Sequence, residues 1–256
     1  MPDQRRVTRR LGLKALLAAT VTVPLSSAAA ISAPTGSSAS AQAPQMLRAP
    51  VSGHRVPPLR VMTFNLRYAS TEEPNSWADR RPATGRLLRR AAPDVFGTQE
   101  GLYEQLRDIQ SALAPRYAWI GTGRERVSGD ESTAIFYDTR RLAPVQHDTF
   151  ALSDTPDVLG SETWGGDTPR TATWVRFRDL DDLGREFYVL NTHLDNASQY
   201  ARERAATLIV QRLAALGRSS PVVVTGDFNA YAHANPAYDT MVGTGLVDAW
   251  DAAARR

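Results

Sequence analysis

The stretch VVVTGDFNA, Val222–Ala230, runs from three β-branched apolar residues straight into Gly226, Asp227, Phe228 and Asn229. A short apolar run bounded by glycine and Asx residues predicts a buried strand. Period-two geometry puts the Asp227 carboxylate and the Asn229 carboxamide on one side, with Phe228 on the other. A rigid apolar element presenting two polar heads at its mouth is how a site is built. The same residues also serve as an ordinary strand-ending turn. The rest of the chain has to decide between the two.

Three further strands end in the same manner. In LRVMTFNLR, Met62, Phe64 and Leu66 face one way and Val61, Thr63 and Asn65 the other, and order is expected to begin near Leu59. DVFGTQE predicts a short strand ending at Glu100, and in REFYVLNTHLD the residues Asn191, His193 and Asp195 share one face. Each has a structural use of its own. Asn65 suits an Asx turn, Glu100 the start of a helix at Gly101, His193 a satisfied core position, and Asn191 a bond to a neighbouring loop. If the four ends converge, they offer carboxylates, carboxamides and an imidazole. That set suits one Mg²⁺ holding a phosphate, because Mg²⁺ takes few carboxylates and keeps positions for substrate oxygens.

The remaining elements fix the fold class. A helix opened by Pro82 is expected to carry Leu87 and Leu88 and to stop before Pro93. Leu102, Leu106, Ile109 and Leu113 fall at helical spacing over 101–114. YAWIGTG, STAIFYD and VQHDTFAL read as strands, 154–170 as a long loop, and TATWVRFRD with REFYVLNTHLD as a hairpin around Asp182-Leu183-Gly184. A helix over 198–216 is expected to end at Gly217, and a short one to cover 236–242. Strands dominate and are mostly joined by loops, which argues for an α+β fold of two packed sheets with helices outside them. No glycine-rich phosphate loop follows a strand, and GTGRERVSG opens no helix.

The N-terminal 43 residues read as an export signal. A basic head from Arg5 to Lys14 precedes an apolar run, Leu16–Leu25, and Ala41-Gln42-Ala43 fits a cleavage site. Thr8-Arg9-Arg10-Leu11-Gly12-Leu13-Lys14 resembles a twin-arginine signal. The run is short and interrupted by Thr, Pro and Ser, which argues against a membrane anchor. Residues 44–58 read as a flexible lead-in and 59–256 as the domain. Removing the head takes five bases and one acid from totals of 30 and 27, leaving 25 against 26. A near-neutral domain carries no electrostatic footprint for nucleic acid. There is no cysteine, so thiolate metal sites are excluded and the fold rests on its core.

Four ordered motifs, TFNLR, PDVFGTQE, NTHLDN and TGDFNA, resemble the endonuclease/exonuclease/phosphatase superfamily of metal-dependent phosphoesterases. The likeness runs from about Arg60 to Asp248, and GDESTAIFYD with FALSDTP, GSETW and RTATW is similar to one of its bacterial branches. The resemblance implies a DNase I-like, four-layer α/β/β/α sandwich of two mainly antiparallel sheets. It implies Glu100 as the principal Mg²⁺ ligand with Asn65 beside it, Mn²⁺ being a substitute. By the same resemblance His193 contacts the scissile phosphate, Asp227 orients or deprotonates the attacking water, and Asn229 donates to the transition state. Arg170 is expected as a phosphate fork and Asn191 as a substrate contact, while Glu131 is given no role. The implied protein is a secreted monomer, not inserted in a membrane. Its substrate is a phosphorylated small molecule, a lipid headgroup or a nucleic acid. Family members continue with further strands and a terminal Ser-Asp-His motif. The expectation is therefore a domain incomplete at its C-terminus, lacking its last strands and feeble as a catalyst. The competing readings are a secreted nuclease, disfavoured by the neutral charge, and a non-catalytic binding protein on the same scaffold.

Overall fold

Val222–Asp227 is an edge strand of one of two four-stranded sheets stacked face to face. The computed structural model describes residues 56–125, 129–182, 184–216 and 220–254; the export signal, Leu183 and Gly217 lie outside them. The first sheet holds β1 (Val61–Asn65), β2 (Val95–Gln99), β3 (Tyr117–Ile120) and β4 (Ile135–Asp138) in the order β1-β2-β4-β3. The second holds β5 (Leu142–Ala151), β6 (Thr171–Asp179), β7 (Glu186–His193) and β8 (Val222–Asp227) in chain order. Both are mainly antiparallel, as expected. Each also has one parallel pair, β1 with β2 and β7 with β8. Parallel neighbours require a crossover, and helices supply it: α1 (Trp77–Ala91) and α3 (Gln199–Ala215). The outer layers are completed by α2 (Tyr103–Leu113), α4 (Pro236–Val242) and α5 (Ala249–Ala254). No helix among the described residues is long and apolar enough to cross a membrane.

The start of α1 differs from the expectation. Pro82 lies inside the helix, which begins five residues earlier at Trp77. Ser76 caps it, its hydroxyl accepting from the Asp79 N–H at 3.2 Å and donating to the Asp79 carboxylate at 2.6 Å. An acidic first turn reinforces that start. Pro82, still near the N-terminus, removes a single intrahelical bond there.

Period-two alternation sorts every strand between two layers. Met62, Leu66, Phe96 and Phe136 face α1 and α2 with Leu88, Leu106 and Ile109. Tyr188 and Leu190 face α3 with Ala205, Ala206 and Ile209, and Val222 and Val224 pack on the same cluster. Between the sheets, Val95, Ile135, Leu142, Val175, Phe177 and Val189 form an apolar layer. Toward the C-terminal ends of β1, β2, β7 and β8 that layer turns polar. Gln99 donates to Asn191 Oδ1 at 2.7 Å, and Asn191 Nδ2 donates to the carbonyls of Thr98 (2.7 Å) and Ala134 (3.1 Å). Thr225 Oγ1 donates to Asn191 Oδ1 at 3.1 Å. Thr63 Oγ1 accepts from Gly226 N at 3.1 Å, joining the edge strands β1 and β8 across the sandwich. Gly97 makes this approach possible: a Cβ there would lie 2.3 Å from both Asn191 Oδ1 and Thr225 Oγ1.

Candidate active site

The polar seam opens onto the site. Asn65, His193 and Asp227 are the last residues of β1, β7 and β8, and all three project from the inner face of their strands. Glu100 follows the last residue of β2, where strand periodicity would turn it outward. Its φ of 60° bends the chain instead, a conformation uncommon outside glycine and frequent where function fixes the backbone. Asn229 also departs from the strand. It stands beyond the end of β8 at φ 46°, so a left-handed turn rather than strand periodicity brings it level with Asp227.

Asn65 braces the two carboxylates. Its Nδ2 donates to Glu100 Oε1 at 2.7 Å and to Asp227 Oδ2 at 2.9 Å, while its Oδ1 accepts from Arg67 N at 2.7 Å. The amide oxygen expected beside the metal is thus turned to the backbone. Glu100 Oε2 accepts from Tyr68 N at 2.8 Å, and Asp227 Oδ1 from Asn229 N at 3.1 Å. Glu100, His193 and Asp227 each bring one ligand atom within 4.8 Å of the others. Two carboxylates at that spacing fit a hard divalent cation.

Asn229 fixes the protonation of His193. Its Nδ2 donates to the Leu194 carbonyl at 2.9 Å, so the group that meets His193 Nε2 at 3.1 Å is an N–H. Nε2 therefore accepts, and the ring proton resides on Nδ1. Burial, followed by the charge of Arg170, lowers the His193 pKa to about 4. The imidazole is neutral, and its buried Nδ1–H has no partner. Both N–H groups of Asn229, expected to donate to the transition state, are committed to His193 and Leu194.

Arg170 flanks His193. Thr171 opens β6 one register step beyond the Ala172↔Thr192 pair, so Arg170 stands beside the end of β7. It is 7 % exposed. Its Nη2 bonds Asn196 Oδ1, its Nε lies 3.6 Å from Asp195 Oδ2, and Nε and Nη1 make no hydrogen bond. Asn191, expected at the substrate, is instead fully buried in the seam with its carboxamide saturated by four bonds. Its partners come from the other sheet and from β8, which no local pattern announces. Asp195 falls past the end of β7. Burial opposes its charge, yet N–H groups of Ser198, Asp167 and Ala197 hold its carboxyl below the usual range, and it brackets the long loop onto the start of α3.

Two charged residues join the site without having been assigned to it. Arg124 pairs with the Glu131 carboxylate and donates to Thr168 Oγ1 at 2.7 Å. Ser132 N donates to the Gly101 carbonyl at 2.9 Å, which places this segment against Glu100. Burial pushes the Glu131 carboxyl up, against the pull of Arg124. Gly97, a glycine inside a strand, is the feature of the sequence that could have marked the seam; nothing periodic marked Arg124. A second group, His233, Asp248 and Asp251, lies near the surface, where Asp248 accepts from the Tyr238 hydroxyl at 3.1 Å.

The arrangement of strand ends agrees with what a family comparison finds. The model described as Endonuclease/Exonuclease/phosphatase family matches residues 62–250. The chain belongs to that family. Endonuclease/exonuclease/phosphatase proteins are phosphoester hydrolases, generally dependent on a divalent metal. Among solved structures, a family protein from Bacteroides thetaiotaomicron is 36% identical, with 73% of this chain and 69% of that one covered and a TM-score of 0.69. A mannosyl-6-phosphatase from the same organism is 35% identical, covers 73% and 71%, and has a TM-score of 0.69. Among curated proteins, Protein angel of Drosophila melanogaster is 25% identical over 179 residues, 68% of this chain. The chain spans about half the length, 49%, of that curated relative.

Proposed function

We propose that this chain is an exported, magnesium-dependent phosphoric-ester hydrolase that directs water at phosphorus in line with the leaving group. The observation that carries the reading is the neutral His193 with its unpartnered Nδ1–H, set beside two carboxylates held together by Asn65. Glu100 and Asp227 would hold the cation. When bound there, Mg²⁺, or Mn²⁺ in its place, supplies charge neutralisation for the phosphoryl oxygens. Asp227 accepts the proton of the attacking water, kept in place by bonds to Asn65 and Asn229 N. His193 donates from Nδ1 to a phosphate oxygen, an interaction that strengthens as charge accumulates in the transition state. Asn229 keeps that proton on Nδ1 by occupying Nε2. Phosphoryl transfer asks for positioning and charge compensation more than covalent help. Export rests on the basic head and apolar run of the first 43 residues.

The mannosyl-6-phosphatase among the relatives makes sugar phosphates the first substrates to try, beside lipid-headgroup and nucleic acid esters. The test is a panel of phosphomonoesters and phosphodiesters assayed with Mg²⁺ and with EDTA. Asp227→Asn and Asn229→Ala should each lower kcat by about 10²-fold or more while leaving the fold intact. A loss confined to KM, or no magnesium-dependent turnover of any ester by the native chain, overturns the reading.

A further inference from the structure

The reaction just drawn leaves two guanidiniums beside the site without a task. Arg170 is buried, yet its Nε and Nη1 carry no hydrogen bond. A buried charged donor left unbonded is costly, so it marks a place for an acceptor that arrives from outside. Among charges, that of Arg170 acts on His193 most strongly, ahead of Asp227 and Glu100, and Arg124 acts on it as well. The two arginines also act on each other. Arg124 donates to Thr168 Oγ1 at 2.7 Å, two residues before Arg170, and Arg170 stands beside the end of β7, where His193 lies.

We infer that Arg124 and Arg170 form a paired fork for a terminal phosphate, with Glu131 occupying Arg124 until that phosphate displaces it. The inference rests on the hydrolase reading for where the phosphorus sits, and it names the substrate class as phosphomonoesters. A monoester presents three peripheral oxygens and a charge near −2 above about pH 7. A diester presents two such oxygens and a single charge. Arg124, Arg170 and the His193 Nδ1–H supply three separate donor groups. A diester would leave one of them unmet and set a carbon substituent against a guanidinium. Arginine is suited to this, since its planar fork matches phosphate oxygens in pairs. Glu131 is a weak competitor because burial disfavours its charged form, Arg124 only partly offsetting this. A dianion that compensates both guanidiniums can replace it on Arg124.

Calorimetric titration of the full chain with inorganic phosphate and with dimethyl phosphate, at about pH 8 and with or without magnesium chloride, tests the fork directly. The native chain should bind inorganic phosphate more tightly than dimethyl phosphate. Arg124→Gln should weaken phosphate about tenfold or more and reduce monoester turnover more than diester turnover. Glu131→Gln should tighten phosphate by freeing Arg124. Arg140→Gln, exposed at the opposite end of the sandwich, should change neither. Arg170→Gln adds to the comparison only if its thermal melt is native-like, so Arg124 and Glu131 carry the decision. Equal affinity for the two anions, unchanged phosphate binding in Arg124→Gln, or no gain in Glu131→Gln overturns the fork and leaves Arg124–Glu131 as a structural ion pair. Phosphate binding of the expected pattern without turnover would sink the hydrolase reading alone. Turnover that is indifferent to Arg124 would sink the fork alone.

Discussion

Gly97→Ala is the smallest change that should disable the site from a distance. The added methyl would stand 2.3 Å from Asn191 Oδ1 and 2.3 Å from Thr225 Oγ1, where ordinary contact begins at 3.4 Å. Asn191 cannot turn aside cheaply, since its carboxamide is held by Gln99, Thr225 and the carbonyls of Thr98 and Ala134. The sheets must therefore part by about 1 Å, or two or so of these buried bonds must break. At about 1–3 kcal/mol for each buried polar group left unpaired, the loss is about 3–5 kcal/mol. For a domain of this size that lowers Tm by about 10 °C. The same opening separates Glu100 on one sheet from His193 and Asp227 on the other, and about 1 Å of misplacement costs about 10²-fold in turnover. Urea denaturation and magnesium-dependent ester hydrolysis measure the two effects on one preparation. If Gly97→Ala unfolds at the native midpoint and keeps its turnover, the seam is not a close contact and this reasoning is wrong.

Two further outcomes follow from buried charge. Arg141 bonds Asp94 at 2.9 Å, Asp179 at 3.1 Å and the carbonyls of Pro57 and Pro58. Arg141→Met should cost about 3–5 kcal/mol in urea denaturation, because two buried carboxylates lose their counter-charge. Adding Asp94→Asn and Asp179→Asn should restore part of it, and a loss under about 1 kcal/mol would contradict the assignment. For His193, the unfolded chain takes up a proton near the ordinary value of 6.5, while the folded chain resists until about 4. The folded pKa is depressed, so this contribution to stability is complete above pH 6.5 and is lost as pH falls toward 4. In metal-free protein Tm should decline across that window, and His193→Asn should flatten the decline; an equal slope in both would refute it.

The sequence was most legible where one strand states its own faces. The alternation of Val61–Asn65 sorted Met62 and Phe64 toward the helices and Thr63 and Asn65 inward, as the structure has them. The strand-end polar residues Asn65, His193 and Asp227 could be picked out because a core-facing strand has no other need of them. Glu100 and Asn229 also converge there, but through left-handed backbone that periodicity does not predict. Asn191 was legible as a polar residue on an inner face, yet its four partners are 34 or more residues away in sequence, so its structural employment was hidden. Arg124 stood in a glycine-containing turn with no period at all, and only the fold brings it to Arg170. The early start of α1 was missed because Pro82 outweighed the quieter cap at Ser76.

The division of the chain between its sheets has a thermodynamic corollary. β1 to β4 build one sheet and β5 to β8 the other, so the backbone crosses between them once, between Asp138 and Leu142. Glu100 and Asn65 belong to the first segment, and His193, Asp227 and Asn229 to the second. Neither segment alone holds the residues proposed for cation and phosphate; they meet only in the union of the two. A ligand bound there would act as a clasp, adding roughly 2.7 kcal/mol to the association of the two segments at a concentration a hundredfold above its dissociation constant. Polypeptides severed in that short crossover would be drawn together by their own ligand, so reconstitution of a split chain becomes a direct readout of site occupancy.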